Sequence, residues 1–350
     1  MFRKLDKRQS APDTLEKLGK LANKAAKPHV FEDYRSRKSP NTLKNHENTL
    51  RHYARYMATL GVFVGEPLYC SQVLFSGITW RLLVGFQKFL LHEGRAISSI
   101  NSMIATLKIY AKLSMQTGWL DQGEYLLIAA VENYSPSEGK HVDSERPVTW
   151  IGHKEAEPIR ITSEQAERLK SQPNQEGLES LASIGDLECR DNALLSILLD
   201  LGLRVGEVTS LRIEDIDKNN RTIRIARPKT DTKATLDLQN GTFAMIKLYL
   251  ELLHFRYNRR SGPLWLGSGE DGKLTGSMSE RAIKNRVRRL GELVGIAGLN
   301  PKDCRHYCAT LAARNGTPLH VLMSWFGWKS AKKAVRYIEV SKIGEEGERR

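Results

Sequence analysis

A polar stretch rich in helix-breaking residues divides this sequence into two parts with different hydrophobic patterns. It covers residues 135–158 and contains Pro136 and Pro147 among serine, glycine and charged residues. Such clusters interrupt regular structure. Apolar residues recur at helical spacing before it, whereas helical and strand-like patterns mix after it. The 350 residues leave room for two domains of ordinary size. We therefore predict two domains joined by a linker at residues 136–158.

The first part is predicted to be entirely helical. Ser39-Pro40 is typical of a helix start, since serine caps the helix and proline suits its first turn. Further helices are expected to end near Gly94 and at Gly118, with a short helix after them. This gives a compact helical domain over residues 31–135. Residues 1–30 form a basic arm that is either partly helical or disordered until it meets a phosphate backbone, or simply a solubilising tail.

The second part, residues 159–340, is predicted to be mixed and mainly helical, with a small antiparallel sheet. Thr162 and Gln165 have the spacing of a capping box that opens a helix. A buried helix should end at Gly202. The remaining predicted elements are a short helix from Val205 to Leu211, strands at 222–225 and 235–238, and helices at 241–254, 279–292, 302–315 and 317–325. Residues 341–350 are a C-terminal tail. The predicted fold class is therefore a multidomain chain of α and α+β type.

The charge of the chain favours a polyanionic partner. The net charge is +14 and the isoelectric point about 9.6, and such an excess of cations most often serves nucleic acid through counterion release. Solvated charged faces are the alternative for each cation taken singly. The candidate DNA contacts are Lys44, Arg51, Arg55, Lys108 and Lys112 in the helical domain, and Arg281, Lys284, Arg286, Arg288 and Arg289 on a basic helix of the second domain.

Other classes of protein fit the sequence less well. No apolar run approaches the length of a membrane span, and the N-terminus lacks a signal-peptide core, which favours a cytoplasmic, reducing compartment. The four cysteines have no partners that complete a zinc-binding set, so we expect free thiols and no metal site.

Tyr337 and several separated cations suggest chemistry on a phosphodiester. A phenol that attacks this anionic group needs guanidinium or ammonium groups aimed at the phosphate oxygens, because charge grows there in the transition state. Arg204, Lys229, Lys302 and Arg305 supply such groups. A tyrosine would also form a covalent link that conserves bond energy for a later strand joining.

These residues stand in an order that resembles the tyrosine recombinase family, which includes the phage integrases. The likeness covers about residues 160–340, and it implies that the helical domain is the family's SAM-like core-binding domain. Leu201-Gly202-Leu203-Arg204 resembles the box whose arginine contacts the scissile phosphate. Arginine suits this role because its planar fork donates in pairs and stays charged. Glu207 would orient a neighbouring cation or cap the site, or else form a surface salt bridge.

The resemblance also implies a lysine in the hairpin between the two strands. Such a lysine reaches the minor groove and protonates the leaving 5′ oxygen, since an alkoxide is a poor leaving group. Lys229 is the preferred candidate, and Lys233 is the competitor.

The stretch from Asn300 to Tyr307 resembles the family's H-x-x-R box, with lysine at the place of the first histidine. Arg305 carries over as the second phosphate-binding arginine. We assign Lys302 to phosphate stabilisation first and to proton transfer second, because a free lysine remains protonated at pH 7. His306 would buttress the helix or form a nearby hydrogen bond.

The last two places of likeness are Trp328, where most relatives have histidine, and Tyr337. The indole N–H can donate to a phosphate oxygen. By resemblance, Tyr337 forms a 3′-phosphotyrosyl link without metal or nucleotide cofactor. The implied partners are double-stranded DNA with an inverted-repeat site and three further copies of the chain in a tetramer. Protelomerase or type IB topoisomerase activity is an alternative, and so is a catalytically idle DNA-binding regulator.

Overall fold

The computed structural model of the protein describes residues 11–146, 159–171, 185–227, 232–269, 273–332 and 334–338. The chain divides into two compact units, Met1–Glu155 and Ala156–Arg350.

The described part of the first unit is built from helices. The serine cap predicted at the start of α3 is present, since the Ser39 hydroxyl accepts a hydrogen bond from the Thr42 backbone N–H at 3.2 Å. Gly118 ends α6 in the left-handed conformation, also as predicted. The α-helices are α1 (Ala11–Ala26), α2 (Val30–Ser36), α3 (Pro40–Thr59), α4 (Gln72–Phe75), α5 (Trp80–His92), α6 (Ile97–Thr117), α7 (Gln122–Ala130) and α8 (Pro136–Glu145).

Helix α8 corrects the prediction of irregular structure after residue 135. Ser135 and Glu138 form a capping box at its start, in which each side chain bonds the backbone N–H of the other residue. Pro136 lies in the first turn, where proline is favoured and does not break a helix. Gly139 packs closely on Ile97, because a Cβ atom at the glycine would lie 2.9 Å from Ile97 Cγ2. Residues 147–158 of the predicted linker lie outside the described residues.

The described residues of the second unit form helices and two small antiparallel sheets. Its elements are α9 (Ser163–Ser171), α10 (Asp186–Ser196) with a π-helical continuation (Ile197–Leu201), α11 (Val205–Thr209), β1 (Ile216–Asp217), β2 (Thr222–Arg227), β3 (Thr232–Asp237), α12 (Asn240–Tyr257), β4 (Leu266–Ser268), β5 (Leu274–Ser277), α13 (Glu280–Leu293), α14 (Pro301–Arg314) and α15 (Leu319–Phe326). Residues 334–338 are also helical, apart from α15.

The predicted hairpin is present and is extended by a third strand. The sheet has the order β1-β2-β3, and all its neighbours are antiparallel. Ile223 lies opposite Leu236, and Ile225 lies opposite Ala234. The capping box of Thr162 and Gln165 is also confirmed, by reciprocal bonds of 3.1 and 3.0 Å. Together these features confirm the predicted fold class.

A buried ion cluster ties α10 to α13 and β4. Asp191 accepts hydrogen bonds from Arg190 and from Arg286, and Arg190 Nη1 also donates to the Leu266 carbonyl at 3.0 Å. Arg190 and Asp191 are each only 1% exposed. The prediction that Arg286 faces DNA is therefore wrong, because its guanidinium turns inward to balance a buried carboxylate.

Candidate active site

The candidate site forms where the π-helical end of α10 meets α14 and α15. The carbonyls of residues 200–202 are not used by a regular α-helix, and side chains satisfy them instead. Cys308 Sγ bonds the Asp200 carbonyl at 3.3 Å, Trp325 Nε1 the Leu201 carbonyl at 3.2 Å, and Arg305 Nη1 the Gly202 carbonyl at 2.7 Å. Side chains of α14 and α15 therefore hold the end of α10 in place.

Gly202 is required at this junction for two reasons. Its φ is +59°, a conformation that side chains disfavour, and a Cβ there would lie 2.7 Å from the Phe326 ring. The chain can therefore turn sharply and present Arg204 at the start of α11.

Glu207 gathers three guanidinium groups. Its carboxylate accepts bonds from Arg204, at 2.9 Å from the backbone nitrogen and 2.6 Å from Nη1. Arg227 Nε and Arg305 Nη1 each lie 3.9 Å from it. The Glu207 side chain is 4% exposed, so the alternative of a surface salt bridge is wrong. Its single negative charge allows three cations to approach one another.

Arg305 is both a cation and a structural tie. Besides its bond to Gly202, its Nη2 donates to the Phe326 carbonyl at 2.6 Å, and its guanidinium lies 5.0 Å from the centre of the Phe326 ring. Burial, with a smaller effect of Arg204, lowers the Arg305 pKa to about 10. The group therefore keeps its charge at pH 7.

Arg227 is a site residue that sequence reasoning missed. It ends β2 with its side chain 5% exposed, and its Nη1 donates to the Ser324 carbonyl at 2.7 Å while its Nη2 donates to the Trp325 carbonyl. Burial lowers its pKa. The signal was present in the strand alternation, since Ile223, Ile225 and Arg227 all face inward.

Tyr337 lies at the end of an aromatic stack. The Phe326 and Trp328 rings are 4.8 Å apart, and the Trp328 and Tyr337 rings are 5.1 Å apart and nearly parallel, at 5°. Trp328 is 8% exposed, and the Arg305 guanidinium lies 5.8 Å from its ring centre. The structure thus brings Arg305, Trp328 and Tyr337 together.

The Tyr337 hydroxyl contacts His306. The phenolic oxygen lies 3.0 Å from Nδ1 and 3.4 Å from Nε2. Burial lowers the His306 pKa to about 4, aided by the charges of Lys302, Arg336 and Arg305. Burial raises the Tyr337 pKa, although Arg305 and Arg336 oppose this. The expectation that His306 forms a nearby hydrogen bond is therefore confirmed, and its partner is the candidate nucleophile.

Of the two lysines predicted to act at the site, Lys302 lies among the described residues. Lys302 is exposed in the first turn of α14, and its charge acts on His306 one turn further along. Lys229 lies outside the described residues, and its competitor Lys233 is exposed on β3. The choice between Lys229 and Lys233 stays a prediction.

Most of the candidate DNA-contacting cations are exposed. Besides Arg286, Lys108 is corrected by the structure: it donates to the Ala129 carbonyl at 3.1 Å and to the Val131 carbonyl, and burial lowers its pKa. Its charge therefore stabilises the end of α7. Arg55 is exposed but paired with Glu93. The remaining exposed candidates are Lys44, Arg51 and Lys112 in the first unit, and Arg281, Lys284, Arg288 and Arg289 on α13.

All four cysteines are free thiols, as predicted. Among the residues that the structure describes, no group of three or more His, Cys, Asp and Glu side chains is placed to hold a metal ion. Within the same described ranges, no helix is both long enough and apolar enough to cross a membrane.

Comparisons with known proteins match both units. The model of the phage integrase family matches residues 160–343, and that of the phage integrase SAM-like domain matches residues 14–132. Tyrosine recombinase XerD of Listeria monocytogenes is 24% identical over 314 residues, which cover 87% of this chain and 90% of XerD. Tyrosine recombinase XerA of Saccharolobus solfataricus is 27% identical over 148 residues, which cover 42% of this chain and 45% of XerA.

Two groups of solved structures share the fold. The integrase of transposon Tn1549, in complex with circular intermediate DNA, superposes with a TM-score of 0.58 at 15% identity and covers 88% of this chain and 93% of its own. A lambda integrase dimer bound to a COC′ core site gives a TM-score of 0.55 at 13% identity, with 95% and 82% covered. At these identities the likeness concerns the fold alone.

Proposed function

Because the chain belongs to the phage integrase family, whose model matches residues 160–343, we propose that it is a site-specific tyrosine recombinase. In this proposal it cleaves and rejoins double-stranded DNA through a 3′-phosphotyrosyl intermediate. It would serve the integration, excision or resolution of a mobile element, inside the cytoplasm of its cell.

The observation that carries the proposal is the arrangement of Tyr337 beside charged groups. The phenol rests against Trp328, which itself lies under the Arg305 guanidinium. Arg204 bonds one carboxylate oxygen of Glu207, and Arg305 lies near the other oxygen. Two guanidinium groups held in advance near a nucleophile can stabilise the charge that grows on phosphate oxygens during attack.

The proposed reaction has two matching steps. The Tyr337 oxygen bonds to phosphorus while the bond from phosphorus to the 5′ oxygen breaks, and that oxygen takes a proton to become a hydroxyl. Lys229 is proposed as this proton donor, and Lys302 as a phosphate contact first and a proton donor second. A 5′ hydroxyl from another duplex then attacks the phosphotyrosyl link. The covalent bond stores the energy, so no nucleotide is consumed.

The proposed partners are DNA and further copies of the chain. Exposed cations on α3 and α13 would contact the phosphate backbone. An inverted-repeat site would recruit a homo-tetramer with four active sites on two duplexes. A lambda integrase tetramer bound to a Holliday junction shares the fold, with a TM-score of 0.54 at 14% identity.

The test is covalent trapping on a nicked duplex. The site is first found by selecting bound duplexes from a random library and from inverted repeats that flank the gene. Cleavage next to the nick then releases a short fragment and leaves protein joined to DNA, which is seen on a denaturing gel. Tyr337→Phe should form no adduct. Tyr307→Phe is the matched control, since Tyr307 is also half-buried, and it should form the adduct normally.

Each other outcome has a defined meaning. An adduct that persists in Tyr337→Phe contradicts the proposed nucleophile. Tight specific binding without any adduct supports an idle DNA-binding regulator. Relaxation of a supercoiled plasmid without exchange between two sites supports topoisomerase-type activity, and hairpin ends support a protelomerase.

A further inference from the structure

Among the described residues, His306 is the only hydrogen-bonding partner of the Tyr337 hydroxyl. Its Nδ1 lies 3.0 Å from the phenolic oxygen. The Trp328 stack fixes the phenol ring on one face, and the His306 ring lies 5.2 Å from it, tilted by 47°. The geometry fits a hydrogen bond in which the phenol donates to a neutral imidazole.

The phenol must lose its proton when its oxygen bonds to phosphorus. Lys302 stands where the resembling family has histidine, but a charged ammonium has no free electron pair and cannot accept that proton. Arg305, which precedes His306 in the sequence, also stays protonated and so cannot accept the phenolic proton. Among the described side chains around Tyr337, His306 is the base within hydrogen-bonding distance.

Burial and the surrounding charges keep the His306 imidazole neutral. Burial disfavours the imidazolium most strongly, and Lys302 and Arg305 on α14 and Arg336 beside Tyr337 disfavour it further. Imidazole is therefore neutral at pH 7 in the free protein. A bound phosphate brings negative charge among these three cations, which raises the His306 pKa towards the working pH, where a general base is most effective.

Resting on the function proposed above, we propose that His306 accepts the phenolic proton of Tyr337 during DNA cleavage. The tyrosine O–H bond breaks as the O–P bond forms, and the proton moves to the imidazole. The 5′ oxygen leaves phosphorus and takes its own proton from a lysine. In the joining step the attacking 5′ hydroxyl gives its proton back to the lysine amine as its oxygen bonds to phosphorus, and the imidazolium returns its proton to the phenolate oxygen as that oxygen leaves phosphorus.

The test compares single-turnover cleavage rates on saturating DNA across pH. His306→Gln keeps a hydrogen-bond acceptor but cannot take the proton, so it separates proton transfer from positioning. Cleavage should slow by about 100-fold at pH 7. It should then rise roughly tenfold per pH unit up to pH 9, because the phenolate must form before attack. His320→Gln is the matched control, since His320 is exposed on α15, and it should follow the wild type.

Two further measurements locate the proton transfer on the nucleophile side. Free imidazole should accelerate His306→Ala, whose cavity admits it, and should leave the wild type unchanged. A substrate with sulfur in place of the leaving 5′ oxygen needs no proton donor for that atom. It should restore a variant of the proton-donating lysine but not His306→Gln.

The following results would overturn the inference. Cleavage by His306→Gln at a rate within about threefold of the wild type and with the same pH profile, or at a higher rate, would show that the contact with His306 only holds Tyr337 before DNA binds. Recovery of His306→Gln on the sulfur substrate would place His306 on the leaving-group side. If His306→Gln unfolds, the imidazole response of His306→Ala decides alone, and no acceleration rejects the inference. A wild-type protein that forms no adduct rejects the proposed function itself.

Discussion

Glu207 places one buried carboxylate among three guanidinium groups. Its bonds to Arg204 are short, and Arg227 and Arg305 lie just beyond hydrogen-bonding distance. Without this negative charge the three cations would repel one another in a region of low polarity. The residue therefore supports the shape of the site as well as its charge.

We expect Glu207→Gln to destabilise the unit of residues 156–350 by about 3 kcal/mol, because it leaves buried cations without their counter-charge while it preserves side-chain size. Urea unfolding measures the change. Glu280→Gln is the control, since Glu280 is 53% exposed and pairs with Lys284 at 3.7 Å, and it should change stability by less than about 0.5 kcal/mol. Equal effects of the two substitutions would contradict the role given to Glu207.

His306 should make stability depend on pH. Its pKa falls from 6.5 to about 4 in the folded protein, so the unfolded chain binds the proton more readily. Stability is fully present above pH ~6.5 and is lost as pH falls towards 4, by at most about 3 kcal/mol. Burial also lowers the pKa of His46 and of His52. Urea unfolding of wild type and His306→Gln at pH 7 and pH 4.5 isolates the part due to His306, because the other two histidines are common to both proteins. An identical loss in the two proteins would show that His306 is not responsible.

At the scale of elements, long periodic segments and their caps were predictable from sequence. The capping residues Ser39 and Thr162 and the terminating Gly118 and Gly202 all act as predicted. They succeed because caps and left-handed turns are local chemistry. The short strands β1, β4 and β5 were missed, since two to four residues carry too little alternation to stand out.

The order of the site residues along the chain was predictable from sequence, but the contacts between them were not. Sequence reasoning found Arg204, Arg305, Trp328 and Tyr337. The structure places these residues around the aromatic stack and the Glu207 carboxylate. Sequence reasoning did not find Arg227, although the alternation of β2 places this residue on the inward face with Ile223 and Ile225, because arginine is rarely buried. The bond between Tyr337 and His306 spans 31 positions, and no local pattern encodes such a pair.

We expect Ser135→Ala to lower the stability of α8 by about 1 kcal/mol, since it removes the hydroxyl that caps the helix. Amide hydrogen exchange should speed up about fivefold in residues 138–145 under conditions in which local opening limits exchange. Ser102→Ala is the control because Ser102 is exposed inside α6, and its own helix should be unaffected. Unchanged exchange in α8 would mean that packing on Ile97, and not the cap, holds this helix.

At the scale of the whole molecule, charge is the dominant feature. The net charge of +14 raises the affinity of the chain for any polyanion, so mere binding to DNA says little about which surface is used. The dependence of binding on salt is more informative, because its slope counts the phosphates that are neutralised.

We expect the combined change of Arg281, Lys284 and Arg288 to glutamine to reduce the slope of log affinity against log salt by about 2.7, since each lost phosphate contact removes about 0.9. Fluorescence anisotropy at a series of salt concentrations measures it. The matched control changes Lys218, Lys247 and Arg260 to glutamine, which are exposed elsewhere on the second unit and remove the same net charge. If both triple variants lose the same slope, α13 is not a specific DNA surface.

Arg305 has two separate reasons to remain arginine. Its guanidinium bridges the carbonyls of Gly202 and Phe326, and these two bonds use two of its five N–H groups. Lysine would keep the charge but could not span the two carbonyls and still point at a third group. Natural descendants of such a protein that abandoned strand cleavage would therefore be expected to discard the tyrosine long before this arginine.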